Sequence, residues 1–363
     1  MADRIVIHAG FHKSGTTALQ SCFAKNRNTL ATLGVIYPRV EGRAHHHPAW
    51  SLLERTWGWK DHGGKLVPAK VWKDFARRVR RSNGTVLISS EFFSEANREQ
   101  LLKAKSELGD APFDIVFTVR PFVKILASSY QQFLKYGIKL GYEEWLEEML
   151  RNRRASVHTP TFWPRAAVSE VVARWAEVFG ASNVRVVLAD EERPNFIFDE
   201  FNSILGLGQG FLKPSEVGGN RSMTVDEVEL LLRVNQHFDR NRGWDEYWVM
   251  IREGYVRYLA DKTQALPGSA RLLTPKWAVD EAKKIGEADL LTLKDLGVKI
   301  SGDEEGFRHS VVPEGSNDPI DKIDIERVAQ MLASYNLKAI RRFPGIVVFR
   351  ELKRRISRNR KGN

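Results

Sequence analysis

Gly10-Phe11-His12-Lys13-Ser14-Gly15-Thr16-Thr17 packs two glycines, one lysine and a run of hydroxyls into eight residues. That mixture suits the holding of a phosphate or a similar anion. Arg4–Ala9 before it is a β-branched run that reads as a buried strand. After it, Ala18, Leu19, Cys22 and Phe23 recur at helical spacing. The glycines therefore fall in a turn between a strand and the first turn of a helix. There, backbone N–H groups and the positive helix end point at one spot. Lys13 adds a mobile charge, and Thr16 and Thr17 add hydroxyl donors. An ordinary glycine turn is the plainer alternative, but it needs neither Lys13 nor two threonines.

The spacing of Gly10 and Gly15 is that of a Walker A loop, and Thr17 stands where such a loop keeps its magnesium-binding hydroxyl. Thr16, however, occupies the lysine position, and the lysine has moved inside the loop to Lys13. Two further segments end strands in charged residues. Thr85–Glu91 reads as a buried strand with Glu91 at its carboxyl end, where doubly wound sheets collect ligands. Glu91 is thereby a candidate general base, a partner for Lys13, or a neighbour of a helix cap. Phe113–Val119 reads as the next strand. Arg120 follows it, Pro121 suits a first helical position, and the helix runs to Gly137. Arg120 and Ser128, about two helical turns apart, can clamp a second phosphate; a structural arginine and a packing serine are the alternative.

Together these segments resemble sulfotransferases that use 3′-phosphoadenosine-5′-phosphosulfate (PAPS). Gly-x-x-Lys-x-Gly-Thr-Thr is similar to their 5′-phosphosulfate loop, and Arg120…Ser128 to their 3′-phosphate segment. Glu91, in Ile-Ser-Ser-Glu, is similar in position to the catalytic glutamate of the carbohydrate and bacterial branch, whereas the cytosolic small-molecule enzymes use a histidine. The resemblance implies an α/β, P-loop-type three-layer fold with a mainly parallel central sheet and a helical C-terminal part. It also implies transfer of a sulfuryl group from PAPS to a hydroxyl or amine of an acceptor, a carbohydrate or glycoconjugate by this branch. The desulfated nucleotide PAP is the product, and no metal is required. Lys13 and Glu91 would be catalytic; His12, Lys13, Ser14, Gly15, Thr16, Thr17, Arg120, Ser128 and Asn220 would bind the donor. Two departures stand out: Ser14 occupies a position where that branch often has Thr, and the Arg-Lys-Gly-x-x-Gly segment of the cytosolic enzymes is missing. Val186–Glu191 imitates a Walker B strand, so a P-loop kinase or NTPase using Mg-ATP is the rival reading. A non-catalytic, anion-binding member of the fold is the other.

At 363 residues the chain can bury a large core. The expected organisation is a single domain over 1–335, with a nucleotide core to about 210, a helical part over 211–335 and a basic tail over 336–363. Helices are expected at Val71–Arg81, Val168–Phe179, Phe196–Leu205, from Thr224, and at Ile325–Leu337, with a strand at Asn183–Ala189. The stretch from Arg39 to Pro68 reads as irregular, and Gly243–Gly315 carries no assignable task. His45, His46 and His47 are adjacent, which is poor metal geometry; a base, an acceptor contact or a solvated loop all fit them. Trp50, Trp57, Trp59 and Trp72 suit a sugar face or the core. Cys22 is the single cysteine, no run of apolar residues would span a bilayer, and no secretory leader is visible, so a cytoplasmic setting is expected. The net charge of +11 favours anionic partners. Arg341–Lys361, basic with interleaved apolar residues, suits an acidic surface or a membrane as well as a solvated tail. Nucleic acid is not an expected partner.

Overall fold

The computed structural model describes all residues except 55, 58–64, 154–156, 191, 215–220, 263–264, 266–268, 321 and 343–363. Its centre is the strand β1 (Ala2–His8), in which Ile5, Val6 and Ile7 are buried whichever face they point to. An unbroken β-branched run is what a parallel strand covered on both sides requires. The other strands are β2 (Val35–Ile36), β3 (Thr56–Trp57), β4 (Lys65–Leu66), β5 (Gly84–Ser89), β6 (Phe113–Val119), β7 (Val184–Leu188) and β8 (Lys299–Ser301). Six of them form one sheet in the order β2-β5-β1-β6-β7-β8, parallel throughout, while β3 and β4 make a small antiparallel pair of their own.

Alternate residues of each strand feed two separate cores. On one face Ile5, Ile7, Val86, Ile88, Ile115 and Phe117 lie in one cluster with Trp72, Phe75 and Val79 of a helix over Ala69–Arg81, and with Val172, Trp175 and Phe179 of the helix Val168–Phe179. On the other, Val6, Leu87, Val116 and Val187 cluster with Leu19 and Phe23 of helix α1 (Thr16–Lys25), and with Phe198 and Phe201 of the helix Phe196–Ile204. Helices on both faces of a parallel sheet make this an α/β fold of three layers, P-loop-type in its strand–loop–helix opening, as expected. The chain runs outward from β1 to β5 on one side and to β6 on the other, so the carboxyl end of β1 is a topological switch point.

Two stretches differ from the sequence expectation. Residues 39–68 are not wholly irregular, because His46–Leu53 forms helix α2, whose Ser51 hydroxyl accepts from Trp72 N at 3.1 Å and donates to Pro68 O at 2.7 Å. Within 243–315, residues 273–316 supply the helix Lys276–Asp295 and the edge strand β8. Asp289 of that helix accepts from Ser169 N at 3.0 Å, capping the helix Val168–Phe179.

The chain divides into two compact units. The first comprises 1–130, 141–218 and 273–316 and holds the sheet. The second comprises 131–140, 219–272 and 317–363. Within the second, the helices Val225–His237 and Ile325–Arg342 meet through charge. Glu227, fully buried, takes both guanidinium nitrogens of Arg221 at 2.7 Å and lies 2.7 Å from Arg327, which is 1% exposed. Among the described residues no helix is long and apolar enough to cross a membrane.

Candidate active site

The loop from His8 to Thr16 leaves the carboxyl end of β1 and is fixed to the neighbouring strand by its own backbone. Ala9 N donates to Val116 O at 3.0 Å, and Phe11 N to Thr118 O at 3.1 Å. Gly10 lies at φ +31, and a Cβ there would come within 2.6 Å of Thr16 Cγ2 and 2.9 Å of His8 Nε2. The first glycine is thus a steric necessity of folding the loop back over the strand. Gly15, at φ 86, caps α1. Between them Lys13 holds φ 69, a left-handed conformation that costs a residue with a Cβ about 1 kcal/mol or more. A glycine would relieve that cost; a glycine would also remove the charge.

Beneath the loop runs a buried polar chain. The Ser14 hydroxyl donates to Phe11 O at 2.6 Å and meets Thr118 Oγ1 at 2.8 Å; Thr118 Oγ1 meets His8 Nε2 at 3.2 Å; His8 Nδ1 meets Ser89 Oγ at 2.8 Å. It ties together the ends of β1, β5 and β6. Burial pushes the His8 imidazole down to about 4, so the ring is neutral. Ser14 is 1% exposed, and its hydroxyl belongs to this internal chain. Thr16 is also buried, whereas Thr17 is exposed at the start of α1.

Across from the loop, β5 ends at Ser89, Ser90 caps the next turn, and Glu91 opens that short helical turn over Glu91–Glu95. Gln20 of α1, one turn beyond Thr16 on the same face, donates from Nε2 to Glu91 Oε2 at 2.8 Å. His46, in the first turn of α2, places Nδ1 2.8 Å from Ser90 Oγ and 3.9 Å from Glu91 Oε2. Burial acts to raise the Glu91 carboxyl, but the His46 and His12 imidazoles and the Gln20 amide outweigh it and hold it below its ordinary value. Burial, with Glu91 opposing, keeps His46 below the usual imidazole value.

A second carboxylate lies one turn on. Glu95, its side chain wholly buried, accepts from Arg165 Nε at 2.8 Å and lies 3.4 Å from His12 Nε2. Burial and then Arg165 lower the His12 imidazole, against the pull of both carboxylates. The Phe92 ring is the hub: His12, His46 and Trp50 meet it edge-on with ring centroids 5.0, 5.0 and 5.1 Å away, and Arg165 lies over it at 5.5 Å.

The structure therefore brings His12, Lys13, Ser14, Gly15, Thr16 and Thr17 into one loop and first turn, and joins that turn to Glu91 through Gln20. Arg120 follows β6 directly. Ser128, on the helix Phe122–Leu134, donates its hydroxyl to Ile125 O at 3.0 Å. Asn220 lies outside the described residues. Asp190, in the segment that imitates Walker B, accepts from the amides of Glu192 and Arg193 at 2.9 and 3.3 Å and from Arg193 Nε at 2.7 Å. That is a turn cap closed by its own arginine. Sequence reasoning missed Gln20, Glu95 and Arg165. Gln20, four residues after Thr16, and Glu95, four after Glu91, carried a helical-spacing signal; Arg165 carried none.

His45 is not solvated: it is fully buried just before α2. Its N–H donates to Ser89 O and its Nδ1 accepts from Ser89 N, both at 2.9 Å, while Nε2 lies 2.9 Å from Pro38 O. The first two bonds extend the ladder at the end of β5 and hold the Ser90–Glu91 turn from behind. His46 faces the site, and His47 stands beside Glu41 and Trp50. Trp72 is core, and Trp50 packs on Phe92; Trp59 lies outside the described residues.

No protein-family model matches the chain, and no curated protein does. Among solved structures it is similar to a sulfotransferase from Alicyclobacillus acidocaldarius at 20% identity, over 67% of this chain and 98% of that one, with a TM-score of 0.40. A likeness that slight carries no argument.

Proposed function

We propose that this chain transfers a sulfuryl group from PAPS to a hydroxyl or amine, with a carbohydrate or glycoconjugate as the acceptor class. One observation carries the reading: Gln20 links the start of α1 to the Glu91 carboxylate, so a helix N-terminus and a proton-attracting group sit on a single frame. The α1 start, the loop amides and Thr17 would hold the 5′-phosphate end of the donor. Lys13 would neutralise charge building on the phosphate as the S–O bond breaks. Arg120 and the Ser128 segment would fix the 3′-phosphate, and Glu91 would face the acceptor's departing proton. Ser14 supports the loop from below; its contribution to the donor is its backbone.

Calorimetric titration with PAP, beside ATP with magnesium, tests this. Metal-independent binding of PAP, weakened at least tenfold by Arg120→Ala, is the expected result. Preference for Mg-ATP would overturn it in favour of phosphoryl transfer, and binding of neither would leave a non-catalytic protein.

A further inference from the structure

The Glu91 carboxylate is held by the Gln20 side chain and by its own backbone N–H. Gln20 occupies Oε2, the same atom that His46 Nδ1 approaches, and among the described residues no other side chain hydrogen-bonds the carboxylate. His46 is oriented on three sides. Ser90 Oγ lies 2.8 Å from Nδ1, Phe92 meets the ring edge-on, and Trp50 stacks on it at 5.9 Å with 28° between the planes. Ser90 Oγ already accepts from Phe92 N at 3.3 Å and keeps lone-pair capacity for a second donor. A carboxylate and a hydroxyl oxygen on the Nδ1 side favour the tautomer with its proton there. Nε2 is then the basic nitrogen. No hydrogen bond occupies it among the described residues, and 29% of the side chain is exposed.

We infer that His46 Nε2, oriented through Nδ1 by Ser90 and Glu91, receives the acceptor's proton during transfer. The inference rests on the sulfuryl-transfer reading and divides its proton chemistry between two residues. In the step, the acceptor O–H bond breaks and its proton goes to Nε2 as the new O–S bond forms. The S–O bond to the donor phosphate breaks, and PAP leaves with that electron pair. Glu91 stays ionised and stabilises the imidazolium across its Nδ1–H. The charged or titratable groups that face the ring are Glu91 from the turn after β5, His12 from the loop after β1, Arg43 from the segment before α2, and His47 from α2 itself.

Long-range 1H–15N spectra of the full chain, with His46→Gln to assign the ring, test the tautomer and the midpoint. Neutral His46 is expected to carry its proton on Nδ1, and Glu91→Gln is expected to lower its midpoint by about one unit or more. PAP release from PAPS with water as acceptor is the kinetic reading. In the wild type it should rise with pH through the His46 midpoint, and in His46→Gln it should lose that rise while PAP binding stays within about twofold. A neutral proton on Nε2, a midpoint indifferent to Glu91→Gln, or an unchanged pH profile in His46→Gln would overturn the inference and leave Glu91 as the base alone. Failure of the wild type to bind PAP would instead overturn the sulfuryl reading, while the spectra still decide the pairing.

Discussion

Lys13 keeps a strained backbone where glycine would be comfortable. If its charge acts on the leaving phosphate, Lys13→Ala should cut PAPS turnover by about 10²–10³ while PAP affinity falls less than about tenfold. Equal losses in both would reduce Lys13 to a binding residue. His8 and His45 make a second residue-scale test. Burial holds them neutral, at about 4 and about 3. The unfolded chain protonates both near pH 6.5, so below that value it binds more protons than the folded chain. Stability is therefore whole above about pH 6.5 and falls as the pH drops toward 4, by about 1.4 kcal/mol per unit for each ring. Urea midpoints between pH 7.5 and 4.5 should show this slope, and His8→Asn should flatten it. Of the candidate site, the loop and Glu91, which the structure joins through Gln20, were legible, because chain-local spacing carries them. His46 was not, because three adjacent histidines look alike until the fold turns one to the core, one to the carboxylate and one outward.

At the scale of elements, long periodic segments were the readable ones. Val168–Phe179 has the bounds its apolar spacing implies, and β6 and β7 fall within a residue of expectation. Residues 39–68 and 243–315 were opaque for physical reasons. A two- or three-residue strand such as β8 is too short to display a period, and α2 opens on two histidines and a proline, which signal no helix. The nine-residue π-helical stretch Trp248–Val256 follows a spacing other than 3.6. The Arg327–Glu227–Arg221 group was equally invisible, since Arg327 lies a hundred residues along the chain from Glu227. Glu227→Ala would leave Arg327 buried with Asp226 as its remaining carboxylate among the described residues and should cost about 3 kcal/mol. Urea unfolding together with hydrogen exchange of the helix Ile325–Arg342 would register the loss; an unchanged midpoint would mean that the charges make no net contribution.

For the whole molecule, charge is unevenly spread. Residues 343–363 contain seven Lys and Arg against one Glu, so removing them takes the net charge from +11 to +5. If this tail serves contact with acidic surfaces, as we propose, its deletion should sharply reduce binding to vesicles containing phosphatidylserine and remove most of the salt dependence. PAP affinity should change by less than about twofold. A tail that is merely solvated would leave vesicle binding unaltered.

The parallel sheet also sets a schedule. β1 is the strand about which the others are arranged, yet its partners begin at Gly84 and Phe113, and the edge strand waits for Lys299. Parallel pairing across such separations closes large loops before any contact rewards them, which slows folding. On a ribosome adding about 5–20 residues per second, an apolar β1 would spend seconds without either neighbour. The loop after β1 cannot be locked until Ser89 and Thr118 have emerged to meet His8, and the second carboxylate gains its arginine only at residue 165. During synthesis, therefore, the loop after β1 stays unlocked until both neighbouring strands have been made, and until then β1 is a natural client for whatever shields nascent apolar strands.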